Sequence, residues 1–473
     1  TEQEAEQAAR KKRKKKAGER QPASVLRKTF RLKPDKTVEP ARLYITCHGL
    51  YAAWLNGQRV GDFVLAPGVD DYKKRLQVQC YDITGMLRDG ENELRVVLGD
   101  GWYRGNNGID GSHNLSGTDL ALLCQLECSG TPAVWSEESW QASQSGPVRL
   151  NDMELGETYD AGREEITNWH GVKKAQFGFE TLTGTETVPI REQETFPGKL
   201  LQTPNGETVI DFGQNLAGYT QLKVRAKAGQ RICLYHGETL DENGNFTQAN
   251  YEPGARNKNG GIPQKLEYIA KDGWNTWKPL FCIFGFRYAK VETDMDLKEA
   301  QFTAIAVYSE MEQTGFFHCG NPDVDRLFQN SLWSMRSNFC DIPTDCPTRE
   351  RAGWTGDAAA FAPTAVYLAD CYPVLRKWLS ACRDAQKKNG VVSNIAPANN
   401  VTGIIGKIIR GSAGWGDACI LVPWALYQAY GDPTILAENY NMMVKWLAFC
   451  TKRASSTRRK NRKNPYHNYL VDK

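Results

Sequence analysis

The chain predicts a multidomain β + α protein, with β-sandwich domains first and an all-helical part after them. Three observations carry this. Short runs of strong β formers, separated by glycine and asparagine turns, fill residues 26–203. A second set of such runs fills residues 204–305. From about residue 311 the apolar residues recur at the spacing of a helix instead of a strand.

The elements follow in order. Residues 1–25 read as a disordered basic tail of Gln, Glu, Lys and Arg without apolar period. Arg42–Cys47 is a strand. Tyr51–Leu55, Asn56-Gly57 and Gln58–Gly61 make a hairpin, because Asn-Gly accepts the positive φ of a type I′ turn. Glu93–Leu98 is a further strand, and a Gly- and Trp-rich turn, Gly99–Gly105, follows it. Evenly spaced short strands of this kind suggest a sandwich. The second β segment carries Thr208–Phe212, Thr220–Arg225, Arg231–Tyr235 and Phe286–Glu292, and a second sandwich fits it. In the helical part, residues 311–473, Asn321 can cap a helix that has Pro322 at its first position. Val324, Leu327, Phe328, Leu332, Met335 and Phe339 continue it. Val374–Cys382, Ala418–Tyr430 and Pro433–Cys450 are further helices. The third is apolar enough to be buried, tolerates Pro423 and stops at Gly431.

Composition narrows the function classes. The 473 residues allow about three domains at ~150 residues each. No apolar run reaches the roughly 18–20 residues of a membrane helix, so no membrane partner is expected. The formal charge is +4, yet fourteen basic residues lie in two runs, Arg10–Lys16 and Lys452–Lys463. The remaining 45 basic residues face 55 acidic ones, so the body is acidic and a nucleic-acid partner is not expected. Thirteen cysteines are scattered without a C-x-x-C pair, and six histidines do not cluster near them. Reduced thiols in a cytoplasmic protein are expected, with neither a disulfide framework nor a metal site. No cofactor is expected either: phosphate loop, dinucleotide fingerprint, nucleophile elbow and zinc signature are all missing.

The chemistry concentrates in Asp345–Asp357, which holds three carboxylates, two guanidiniums and one tryptophan. Crowded acids raise one another's pKa. A carboxylic acid that keeps its proton near neutrality is what general acid catalysis of a glycosidic bond requires. Trp354 offers a flat face for a sugar ring. The competing structural account pairs Asp345, Glu350 and Asp357 with Arg349 and Arg351 in a salt-bridge network. A second segment, Gly411–Asp417, repeats the glycine–tryptophan–glycine–aspartate pattern. Trp415 is a second candidate platform. Asp357 and Asp417 are candidate ligand contacts or helix N-caps. Trp54, Trp102, Tyr103, His236 and Glu238 are weaker candidates, better explained by packing or by a hydrogen bond at a strand end.

From about residue 27 onward the chain resembles bacterial α-L-rhamnosidases, the family 78 glycoside hydrolases. The resemblance rests on Gly49–Gly61, Leu98–Gly105, Gly156–Ala161, Asp211–Gly218, His236–Glu238, Gly285–Tyr288 and, most specifically, Thr344–Asp357. It implies N-terminal β-sandwich domains followed by an (α/α)6 barrel. It also implies inverting hydrolysis of terminal α-L-rhamnose from a glycoside or oligosaccharide. Glu350 would be the general acid. Asp345 and Asp357 would hold rhamnose hydroxyls, and Trp354 and Trp415 would line the pocket, with Arg349 and Asp417 also substrate-binding. Thr348 stands where relatives often have Gln. Residues 311–473 are near half of what twelve barrel helices need, so the general base is expected beyond residue 473 and residues 1–473 alone are expected to be inactive or nearly so. A homodimer stays open. So do two other functions: a carbohydrate-binding protein without catalysis, and an inverting glycosidase for another deoxy sugar.

Overall fold

The computed structural model describes residues 21–32, 40–107, 112–251, 264–398 and 411–454. The run Arg10–Lys16 and the residues from Arg458 onward lie outside them. The expected tail is shorter than 25 residues, because Ser24 opens the strand Ser24–Leu32 and its Val25 is buried. Val25 pairs with Val97, and that cross-strand partner is what orders the segment.

Two sheets build the first sandwich. The six-stranded sheet runs in the order His170–Gly171, Gln141–Ser143, Ser24–Leu32, Gly90–Gly99, Leu50–Leu55, Gln58–Arg59. The five-stranded sheet runs Leu182–Gly184, Leu76–Asp82, Ala41–His48, Ala121–Cys128, Thr131–Trp135. Leu43, Ile45, Leu50 and Val96, from both sheets, share one core. The hairpin forms as expected, with φ of 55° at Asn56 and 82° at Gly57. Gly99–Gly105 contains one helical turn, Gly101–Arg104, whose Trp102 and Tyr103 are buried. Both rings therefore pack into the core.

The second β region is one continuous ten-stranded sheet instead of two separate sheets. Its organiser is the 19-residue strand Thr208–Ala226. The early part of that strand pairs with Phe284–Thr293 and Lys199–Gln202. The later part pairs with Gln301–Ser309 and Gly273–Trp277. Nor do the sheets divide at residue 203. Val148–Asp152, Gly156–Asp160 and Ile190–Pro197 all belong to the ten-stranded sheet. Gly156–Asp160 lies parallel to Lys265–Ile269, a partner that local sequence cannot announce. A separate core of Ile210, Phe212, Leu234, Phe284 and Phe286 fills this region.

Among the described residues five long helices follow: α1 (Pro322–Asn338), α2 (Thr355–Leu368), α3 (Tyr372–Ala385), α4 (Ala418–Tyr430) and α5 (Thr434–Ala454). The Asn321 side chain accepts from Asp323 N at 3.0 Å and caps α1. Gly431, at φ 69°, ends α4. In α3, Val374, Leu375, Trp378, Leu379 and Cys382 are all buried, as their spacing predicts. Elsewhere the apolar stripes are only partly covered. On α1, Leu332 and Met335 are buried, while Leu327 is 64% exposed. The burial expected for α4 holds on one face alone: Leu421, Trp424 and Tyr430 are exposed, as are Tyr440 and Leu447 on α5.

A buried ionic knot ties the helices to the first sandwich. Lys377 Nζ on α3 donates to Asp341 Oδ2 at 2.8 Å and lies 3.7 Å from Asp70 Oδ1. Asp341 Oδ2 also accepts from Val69 N at 2.6 Å. Burial pushes the Asp70 carboxyl up, and the ammonium beside it opposes that shift. This knot fixes the segment Phe339–Pro343, from which the acidic loop springs.

Candidate active site

The loop Thr344–Trp354 is closed on itself by backbone bonds. Asp345 N donates to Ala352 O at 3.2 Å, and Ala352 N donates back to Asp345 Oδ1 at 3.1 Å. Two glycines let it dock. A β-carbon on Gly353 would overlap Ala396 O, and one on Gly285 would lie 2.7 Å from the Thr348 side chain and 2.8 Å from Pro347. The ten-stranded sheet thus presses directly on the loop.

Arg351 does not pair with the loop acids. It takes φ 48°, turns away and is buried. Its Nε donates to Thr348 O at 2.9 Å and its Nη2 to Gln264 Oε1 at 3.1 Å, while Nη1 reaches Met153 O. The guanidinium therefore pins the loop to the β region. Among the described residues, Arg349 is the arginine that approaches Glu350. Its Nε stands 3.7 Å from Glu350 Oε1, and its Nη1 donates to Asn250 O at 3.1 Å. Neither contact is the tight bidentate pair that would neutralise Glu350.

With the arginines so placed, the three acids are not locked into a salt-bridge network with both of them. Glu350 is held by the indole of Trp354, whose Nε1 donates to Oε2 at 2.9 Å. Burial pushes the Asp345 carboxyl up to about 6, and the charge of Glu350 adds to the shift. Asp357, in the first turn of α2, is raised by burial and again by Glu350. Glu350 bears on both aspartates, so the three share one electrostatic site.

The second glycine–tryptophan–aspartate segment supplies one wall and one brace. Trp415 is 41% exposed and lies over Gly356, where a β-carbon would come 2.8 Å from its Nε1. That places its indole beside Asp357. Asp417 is otherwise engaged: Oδ2 accepts from Gly414 N at 3.0 Å and Oδ1 from the buried Trp446 Nε1 at 2.9 Å. It sits at the start of α4 without capping it through its side chain. Asp357 does not cap either, since Trp354 occupies the N-cap of α2.

The β-region candidates divide. His236 is fully buried between Thr220 Oγ1 and Gln264 O, both at 2.9 Å, and burial pushes its pKa down to about 4. Glu238 faces the loop. Its Oε2 accepts from Asn250 Nδ2 at 2.7 Å and its Oε1 from Asn215 Nδ2 at 3.4 Å. The roles of Asn215 and Asn250 were missed from sequence. The motif that holds Glu238 is the one signal that pointed this way. Among the described residues no cluster of three or more His, Cys, Asp or Glu is arranged to hold a metal ion. All thirteen cysteines are free thiols. Among the described residues no helix is long and apolar enough to cross a membrane.

Comparison with known proteins gives one family from residue 36 onward. Residues 36–208 match the α-L-rhamnosidase N-terminal domain, residues 201–308 the bacterial α-L-rhamnosidase concanavalin-like domain, and residues 312–473 the bacterial α-L-rhamnosidase 6 hairpin glycosidase domain. The chain is 39% identical over 449 residues to an α-L-rhamnosidase of Streptomyces avermitilis, covering 91% of this chain and 42% of that protein. It is 34% identical to one from Formosa agariphila, covering 89% and 46%. The crystal structure of the Streptomyces avermitilis α-L-rhamnosidase complexed with L-rhamnose superposes with a TM-score of 0.84 at 37% identity, over 92% of this chain and 42% of that one. The native Aspergillus terreus enzyme superposes at 0.81 with 35% identity, over 91% and 50%. The chain thus spans somewhat less than half the length of these curated relatives.

Proposed function

Because the chain belongs to the bacterial α-L-rhamnosidase family, we propose that it is the acid-bearing portion of an inverting hydrolase that removes terminal α-L-rhamnose from glycosides or oligosaccharides. The observation that carries this is Glu350, held by the Trp354 indole, flanked by Asp345 and Asp357, and approached by Arg349 Nε at 3.7 Å. Glu350 protonates the departing glycosidic oxygen. Asp345, close to half protonation near pH 6, both gives and takes hydrogen bonds with a sugar hydroxyl. Asp357 takes a second hydroxyl, Trp354 and Trp415 line the ring, and Arg349 stands on the side where the leaving group departs.

Inversion requires a second carboxylate, roughly 6.5–9.5 Å from the first, to activate water on the opposite face of the ring. We assign that base to residues beyond 473. The five helices are then the first part of an (α/α)6 barrel, and their exposed stripes on α1, α4 and α5 are faces that further helices cover. The thirteen free thiols fit a cytoplasmic setting.

The test is hydrolysis of 4-nitrophenyl α-L-rhamnoside by the full-length protein, followed by proton NMR. The first rhamnose released is expected as the β anomer. Early release of the α anomer refutes inversion. Brisk turnover by residues 1–473 alone refutes the placement of the base.

A further inference from the structure

The contacts of Glu350 form a path that leaves the helical part. Arg349 touches both Glu350 and the backbone carbonyl of Asn250. The Asn250 side chain donates to Glu238, and Glu238 in turn takes the amide of Asn215. Asp345 and Asp357 bear on Glu350 within the helical part, and the β-region groups reach it through Arg349. If the sugar ring lies over the aspartates, whatever is attached through the glycosidic oxygen extends over Arg349, Asn250, Glu238 and Asn215. From this geometry we infer that these β-region side chains form a hydroxyl-binding shelf for the first sugar of the leaving group. The inference rests on the rhamnoside-hydrolase reading above and assigns that same site its leaving-group class.

Local structure supports a built shelf. The strand Thr208–Ala226 loses register between Asp211 and Leu216, so residues 212–215 bulge out of the ladder. Bulges re-aim side chains and concentrate beside active sites. This one is braced: Asp211 accepts from Arg287 Nε and Nη2, both at 2.9 Å, and from Gly213 N at 2.7 Å. The bulge delivers the exposed Asn215 to Glu238. Donor and acceptor capacity is left over. A carboxylate offers about four lone-pair positions, of which the two asparagines occupy two, and each asparagine amide has a second N–H. Glu238 is partly desolvated, which strengthens a hydrogen bond from an incoming hydroxyl. A shelf of amides and a carboxylate suits a polyhydroxylated leaving group better than a flat aryl one.

The experiment compares Asn215→Ala and Glu238→Gln with the wild type in the full-length protein. The substrates are 4-nitrophenyl α-L-rhamnoside and a panel of rhamnosyl-glucose and rhamnosyl-galactose disaccharides. The ratio of kcat/KM on the best disaccharide to that on the aryl rhamnoside is expected to fall about tenfold in each variant, through KM. A parallel fall on both substrate classes, or no change on either, overturns the shelf and leaves the hydrolase reading standing. Failure of the wild type to release rhamnose from any substrate overturns the hydrolase reading itself. Asn215 is exposed, so its variant keeps the test valid should Glu238→Gln disturb the fold.

Discussion

Two turns in this chain carry nearly the same letters, Gly353-Trp-Thr-Gly-Asp357 and Gly414-Trp-Gly-Asp417, and each leads into an apolar helix. Their carboxylates meet opposite fates. Asp357 is exposed, yet the protein packed around it raises its pKa and the charge of Glu350 adds to the shift. Asp417 is held from both sides, by Gly414 N and by Trp446 Nε1. The difference comes from a third element. α5 brings Trp446 beneath the second turn, while the first turn faces Trp415 across the tight approach at Gly356. One local motif thus leaves its acid in an electrostatic cluster in the first turn, and ties it into a structural joint in the second.

Substitutions can break or sharpen that contrast. The largest effect is expected in the first turn: Glu350→Gln lowers kcat of the full-length protein by about 10²–10⁴-fold with an unchanged melting temperature. Activity close to wild type would remove Glu350 from its assigned role. Next comes the anchor behind the same turn. Arg351→Met leaves the carbonyls of Thr348 and Met153 and the Gln264 amide without their donor, and costs about 3 kcal/mol in denaturant unfolding. A cost near zero would mean the loop holds its shape without the β region. In the second turn Asp417→Ala strands the buried Trp446 N–H and costs about 2 kcal/mol of stability. A loss of catalysis larger than the loss of stability would instead make Asp417 a ligand contact.

The smallest effect is a pH-dependent gain. The folded-state pKa of Asp345, about 6, lies above its value in an unfolded chain, about 4. Its contribution to stability is therefore fully present below about pH 4 and is lost as pH rises through about 6. Asp345→Asn keeps the acceptor for Ala352 N and removes the charge beside Glu350. The variant is expected to be more stable than wild type at pH 7 and to lose that advantage near pH 4. A constant difference across that range would show that the carboxyl is not perturbed.

What could be read from sequence was local. The Asn56-Gly57 turn, the Asn321 cap, the Gly431 stop and the crowding of Asp345, Glu350 and Asp357 depend on neighbours within a few residues. What stayed hidden depends on distant partners. Nothing near Arg351 says that its guanidinium turns to Met153 and Gln264. Nothing near Lys377 names Asp341 and Asp70. The spacing of Val324 and Leu327 marks an apolar stripe on α1, but periodicity does not say what covers it, and in this chain both are exposed. Glu238 reads from sequence as a hydrogen-bonding group at a strand end and no more, because its partners Asn215 and Asn250 arrive from a bulge and a separate loop.

The parallel pairing of Gly156–Asp160 with Lys265–Ile269 also matters during synthesis. A ribosome delivers the hairpin Val148–Asp160 long before its mate emerges. At about 5–20 residues per second the wait is on the order of 10 s. Until then one edge of that hairpin is an open ladder, free to catch another nascent chain. Slowing translation between the two strands should therefore lower the soluble yield of this protein, whatever it does to the thermodynamics of the finished molecule.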